Sequence, residues 1–170
     1  MRGKTINLRA IEPADIDILY KWEKDTSIWY LSNTIEPFSK FILEQYILSS
    51  NQDIYSKKQL RLMIDINESK KTIGSIDLFD FDPKNKRAGI GILINKNERG
   101  KGYASEALEL LINYSFHTLD LHQLYCNISA DNNVSLKLFH NFGFEIIGLK
   151  KQWNFINDKW MDEYMLQLIK

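Results

Sequence analysis

The chain has 170 residues, and its 22 Lys and Arg balance 22 Asp and Glu, so the formal net charge is zero. That length suits one domain with a substantial core, expected over residues 1–170, and the charge balance lacks the basic excess of a nucleic-acid-binding protein. The single cysteine, Cys126, excludes an internal disulfide; no apolar run nears the ~20 residues of a membrane-spanning helix, and Met1-Arg2-Gly3-Lys4 leads into a strand pattern without an apolar signal region, so a cytoplasmic protein with no membrane partner is expected.

Thr5 to Arg9 reads as a first strand, and Glu12 to Lys24 as a helix with Pro13 in its first turn, where the missing N–H matters little. Pro37 to Ser50 reads as a second helix. Gln59 to Ile66 and Lys71 to Asp80 form a hairpin about the polar turn Asn67-Glu68-Ser69-Lys70. A strand follows over Ala88 to Ile94, then a long helix over Tyr103 to His117, in which Ala104, Ala107, Leu108 and Leu111 make an apolar stripe at helical spacing. Gln123 to Ser129 is the next strand, Asn133 to Phe142 a helix, and Phe144 to Trp153 and Trp160 to Ile169 the closing strands. The order is that of an α/β (α+β) fold, a mixed sheet of about seven strands with about four helices. Cys126 falls in an apolar strand, where a buried thiol is inert.

The segment Glu98-Arg99-Gly100-Lys101-Gly102-Tyr103-Ala104 joins the strand ending at Ile94 to the long helix. Two glycines in that turn leave unpaired N–H groups at a helix N-terminus, where donors and dipole favour an anion. Glycine tolerates φ > 0 and close approach of a phosphate, and Arg99 and Lys101 add positive charge. The turn reads as a pyrophosphate cradle; a glycine-rich turn without a ligand is the alternative. Neither a P-loop nor a dinucleotide fingerprint fits, since Ser105 stands where the third glycine of the latter belongs.

Gly100-x-Gly102, followed further along by Asn132, Ser135 and Gly143-Phe144, resembles the GNAT superfamily of acetyl-CoA-dependent N-acetyltransferases; Asn97 stands where Gln or Arg usually opens the motif. Leu8-Arg9 with Asp15, and Phe155-Ile156-Asn157-Asp158 with Asp162, are most similar to the branch of bacterial spermidine/diamine and ribosomal-protein N-terminal acetyltransferases, with Asp158 in place of a usual glycine. An Asn-Asp pair still suits a turn that visits φ > 0. The resemblance implies the GNAT fold and acetyl-CoA as cosubstrate. It places the pyrophosphate on the backbone of Arg99, Gly100, Lys101, Gly102, Tyr103, Ala104 and Ser105, and the pantetheine between Ile92, Leu93 and Ile94 on one strand and Tyr125 to Ser129 on the other. Asn132, Ser135 and Phe139 follow on the next helix. Asn132 suits either a cofactor contact or a helix cap.

Two family groups are missing. The position of Phe139 is commonly tyrosine, which protonates the departing thiolate; phenylalanine cannot, and His140 points elsewhere around the helix. The strand glutamate of many relatives is replaced by Ala88-Gly89-Ile90. A thiol of pKa ~8.5 still leaves readily, but an alkyl ammonium must lose a proton at about 4 kcal/mol near neutral pH. Asp77, within Ser75-Ile76-Asp77-Leu78, is the candidate base or amine anchor, against a solvent-facing strand aspartate as the plain alternative. Trp29, Tyr30 and Glu36, between the first two helices, are the candidate amine-binding residues, since aromatic faces and carboxylates suit an ammonium. Clustered metal ligands are not evident.

The expectation is direct acetyl transfer to a primary amine, a polyamine or diamine such as spermidine being favoured. Acetylation of a protein N-terminus, a CoA-binding domain without activity, and a different nucleotide-binding α/β protein stay open, as does self-association through the closing strands.

Overall fold

A computed structural model of the chain describes residues 1–26, 29, 35–49 and 53–170. Seven strands form one sheet: β1 (Ile6–Ala10), β2 (Leu60–Ile66), β3 (Thr72–Asp82), β4 (Arg87–Ile94), β5 (Gln123–Ser129), β6 (Glu145–Ile156) and β7 (Lys159–Ile169). Their order is β1-β2-β3-β4-β5-β7-β6, and only β4 and β5 pair in parallel. The helices whose bounds fall among the described residues are α1 (Ile16–Glu23), α2 (Lys40–Ser49), α3 (Ile54–Lys57), α4 (Tyr103–His117) and α5 (Asn133–Asn141).

Pleat alternation sends successive side chains of each strand to opposite faces. On one face Leu8, Ile64, Ile76, Leu78 and Ile90 meet the α4 stripe of Ala107, Leu108 and Leu111, along with Phe139 from α5. On the other, Met63 packs against Leu19 and Trp22 of α1 and Leu43 and Ile47 of α2. Fully burying such a side chain contributes roughly 1.5–3 kcal/mol, so both clusters are substantial.

The first expected helix is split. Pro13–Asp15 forms a single 3-10 turn before α1, because the Asp15 side chain accepts the Glu12 N–H at 2.8 Å and fixes the chain there. Arg9 clamps the same carboxylate at 2.7 Å through both terminal nitrogens, and its Nε reaches Asp65 at 2.6 Å. Thr72 donates to Asp65 at 2.7 Å. Arg9 and Asp15 of the opening motif therefore tie β1, β2 and β3 to the start of α1. The second expected helix begins at Lys40 rather than Pro37, and the four-residue α3 lies where no element was expected; Asp53 caps it by accepting the Ser56 N–H at 2.9 Å. Strand β3 runs past Asp80 to Asp82 through a bulge at which Asp80 takes φ 50°. The β6–β7 turn has Asn157 at φ 49° and Asp158 at φ 60°, the conformation of a tight hairpin turn without its glycine.

Candidate active site

The turn between β4 and α4 has the expected form. Gly100 sits at φ 77° and Gly102, the N-cap of α4, at φ 85°. A Cβ at either would meet no atom within 4 Å, so both glycines face open space. Among the described residues, no acceptor meets the N–H groups from Gly100 to Ser105. These donors at the start of a 15-residue helix suit a pyrophosphate. The side-chain charges are arranged differently from the sequence expectation. Lys101 pairs with Glu98 at 2.8 Å, Lys71 pairs with the same carboxylate, and Arg99 donates from Nε to the Ile94 carbonyl at 2.9 Å. The two lysines hold the buried Glu98 carboxyl below the ordinary range. The backbone, more than Lys101, supplies the free positive character.

Parallel pairing of β4 and β5 stops after Arg87↔Gln123, Ala88↔Leu124 and Gly89↔Tyr125. Beyond these the strands separate, and a cavity of about 110 Å³ opens between Ile90–Ile92 and Cys126–Ser129. Asn132, Ser135 and Phe139 also line it, with Asn154, Ile156 and Glu163 from the closing hairpin. Ile92, Asn132, Ser135 and Phe139 thus come together as expected. The Leu93 and Ile94 side chains do not line the cleft: Leu93 packs toward the α1–α2 cluster and Ile94 is buried in the α4-side core. Asn132 is a cap, accepting the Ser135 N–H at 3.1 Å while still facing the cleft. Phe139 is 3 % exposed and meets Phe144 edge-on at 5.0 Å. Burial pushes the Cys126 thiol up to about 12, so it is inert at neutral pH.

Asp77 lies opposite Gly91, a cleft residue, but it is not a solvent-facing aspartate. Arg61 of β2 holds it through Nε at 2.7 Å and Nη2 at 3.3 Å, with Asp77 only 17 % exposed. Burial works against the Arg61 charge, yet Asp77 beside it holds the guanidinium pKa above its ordinary value. Both its oxygens face the Arg61 guanidinium and it does not line the cavity, so Asp77 serves as a strut rather than as a base. Arg61 also lies over the Tyr46 ring, 5.4 Å from its centroid. Glu23, at the end of α1, shares this neighbourhood, and burial raises its carboxyl above the usual range. Trp29 donates its indole N–H to the Glu23 carbonyl at 2.7 Å, which fixes it beside this cluster. Glu36 is exposed, and Tyr30 lies outside the described residues.

Sequence reasoning missed the polar wall supplied by the last strands. Lys150 donates to Glu163 at 2.8 Å and to Asn127 at 2.9 Å, and Asn154 donates to Glu163 at 3.0 Å. The one available signal was the acidic pair Asp162-Glu163 inside a strand, where charge is disfavoured.

A family model described as an acetyltransferase (GNAT) domain matches residues 5–145. An uncharacterized N-acetyltransferase p20 of Bacillus licheniformis is 30% identical over 97% of this chain and 93% of its own length. A spermidine N(1)-acetyltransferase of Vibrio cholerae is 25% identical, again over 97% and 93%. The fold matches the crystal structure of the spermidine N-acetyltransferase from Vibrio cholerae in complex with CoA and spermine, with a TM-score of 0.87 at 24% identity, over 98% of this chain and 96% of that one. A split sheet, a cradle of free N–H groups and the matched domain agree: the chain belongs to the GNAT family of acetyl-CoA-dependent acetyltransferases.

Proposed function

We propose that this protein, as a single domain over 1–170, transfers acetyl to a primary amine of the polyamine or diamine class. The free N–H groups from Gly100 to Ser105, set at the open end of the β4–β5 split, carry the reading. They would hold the pyrophosphate, with Arg99 fastened to Ile94 behind them. Ile92, Asn132, Ser135 and Phe139 would flank the pantetheine. When bound, acetyl-CoA supplies a thioester that a neutral amine opens directly. Among the described residues no activated nucleophile faces the cleft, and Cys126 stays a thiol, which supports transfer without an acetyl-enzyme. The polyamine class is supported by the relatives named spermidine acetyltransferases and by the aromatic and acidic groups on the acceptor side: Trp29, Tyr46, Glu23 and Asp77.

The test is thiol release and product mass with acetyl-CoA and a panel of spermidine, short diamines, aminoglycosides and peptides with free N-termini. Acetylated polyamine is the expected product; acetylated peptide N-termini alone would overturn the acceptor class. For the cradle, Gly102→Val should weaken CoA binding by calorimetry more than tenfold, because a side chain at φ 85° is strained and fills the phosphate space. Unchanged affinity would refute it.

A further inference from the structure

Among the described residues that line the cleft, Glu163 is the only carboxylate. It projects from the face of β7 that pairs across to Ser129 and lies next to Asn127, the face that Asp77 and Gly91 share on β3 and β4. Its side chain is 13 % exposed, and its two oxygens are held separately, one by Lys150 and one by Asn154. Lys150 is itself fixed by Asn127 and stacks on Trp153, 4.9 Å from the ring centroid. Strands β5, β6 and β7 therefore converge to aim one carboxylate into the split. Asp77, on the same face, turns both oxygens to Arg61 and does not line the cavity.

We propose that Glu163 receives the proton that the acceptor ammonium must lose, with Lys150 as its positioning residue. This rests on the amine acetyltransferase reading above. The ammonium gives one proton to the Glu163 carboxylate. The nitrogen lone pair then forms the bond to the acetyl carbon while the carbon–sulfur bond breaks. One of the two protons left on nitrogen passes to the sulfur and the other stays in the amide, so CoA leaves as the thiol, and Glu163 returns its proton to solvent. Both carboxylate oxygens keep a second lone pair for this exchange.

The experiment is acetyl transfer to spermidine across about pH 6 to 8, with acetyl-CoA and amine affinities measured by calorimetry. A wild-type protein in which the Glu163 carboxylate takes a proton from the bound ammonium has a nearly flat kcat/KM over this range. Glu163→Gln should lower kcat/KM near pH 7 by about 10²-fold or more, and the remaining rate should climb about tenfold per pH unit as free amine appears. Spermidine binding to the CoA complex should weaken about tenfold through loss of a charge-assisted contact, while CoA affinity stays unchanged and reports an intact fold. Glu163→Asp should restore part of the rate. Lys150→Met/Glu163→Gln, which leaves no unpaired cation, should reproduce the pH slope of the single variant. Wild-type rates and a flat profile in Glu163→Gln would overturn the role of Glu163 and leave amine acetylation standing. A wild-type protein that binds acetyl-CoA and acetylates no amine would overturn both.

Discussion

Gly89 leaves no room for a glutamate at its own position on β4. A Cβ there would lie 2.3 Å from the Phe79 ring, which crosses from β3 and stacks edge-on against Tyr125 at 5.8 Å. The aromatic pair fills the space a longer side chain at this position needs. Gly89→Glu should accordingly destabilise the protein by about 1–3 kcal/mol in urea unfolding. Phe79→Ala in the same chain should recover part of that loss, and strictly additive effects would refute the shared-space account. Tyr125 contributes in a second way: its hydroxyl donates to Asp80 at 2.9 Å, and burial with that contact pushes its pKa up to about 12, so it stays protonated throughout the working range.

The Arg9–Asp15 clamp belongs to the scale of elements, since it binds the first strand to the first helix. Burial alone would raise the Asp15 carboxyl, but the Arg9 and Glu12 hydrogen bonds prevail and hold it below its ordinary range. Its contribution is therefore complete above the ordinary aspartate value of about 4 and is lost as pH falls through the lowered folded value. Asp15→Asn should cost about 3 kcal/mol near neutral pH, because it leaves Arg9 partly buried with one partner fewer. The difference from wild type in urea midpoint should shrink below about pH 4; a constant difference would contradict the assignment. At this scale the sequence was readable wherever one period ran long enough. The α4 stripe and the turn-bounded runs of β2 through β5 placed helix and strands to within a few residues. Short-range polar chemistry was less readable. The 3-10 turn at Pro13 and the single turn of α3 are set by individual aspartates, Asp15 and Asp53, which a hydrophobic pattern does not register. The cradle glycines were visible because their spacing is local. Glu163, Lys150 and Asn127 were not, since their meeting depends on the pairing of β5, β6 and β7.

Across the whole molecule, the sheet is two sets of strands joined by three residue pairs between β4 and β5 and by the core beneath α4. A ligand seated in the split touches both sets, so its binding energy should stabilise the whole. Saturating CoA at about 100 times its dissociation constant should add about 2.7 kcal/mol, raising Tm by about 5–10 °C for a chain of this size. Hydrogen exchange should slow in both β4 and β5; protection confined to the glycine turn would mean that the ligand engages the cradle without bridging the sheet.

That narrow parallel seam also sets an order of events. The meander β2–β4 and the hairpin β6–β7 are built from neighbours in the chain, whereas β1 reaches β2, and β5 reaches β4, only across long intervening segments; of these two junctions the β4–β5 seam has the fewer pairs to reward its closure, three against five. Closing so long a loop for three residue pairs is rewarded late. The seam is expected to close late, on the native side of the folding barrier. Added CoA should then leave the folding limb of a chevron where it is and lower the unfolding limb, making the loaded protein slower to come apart and no faster to assemble.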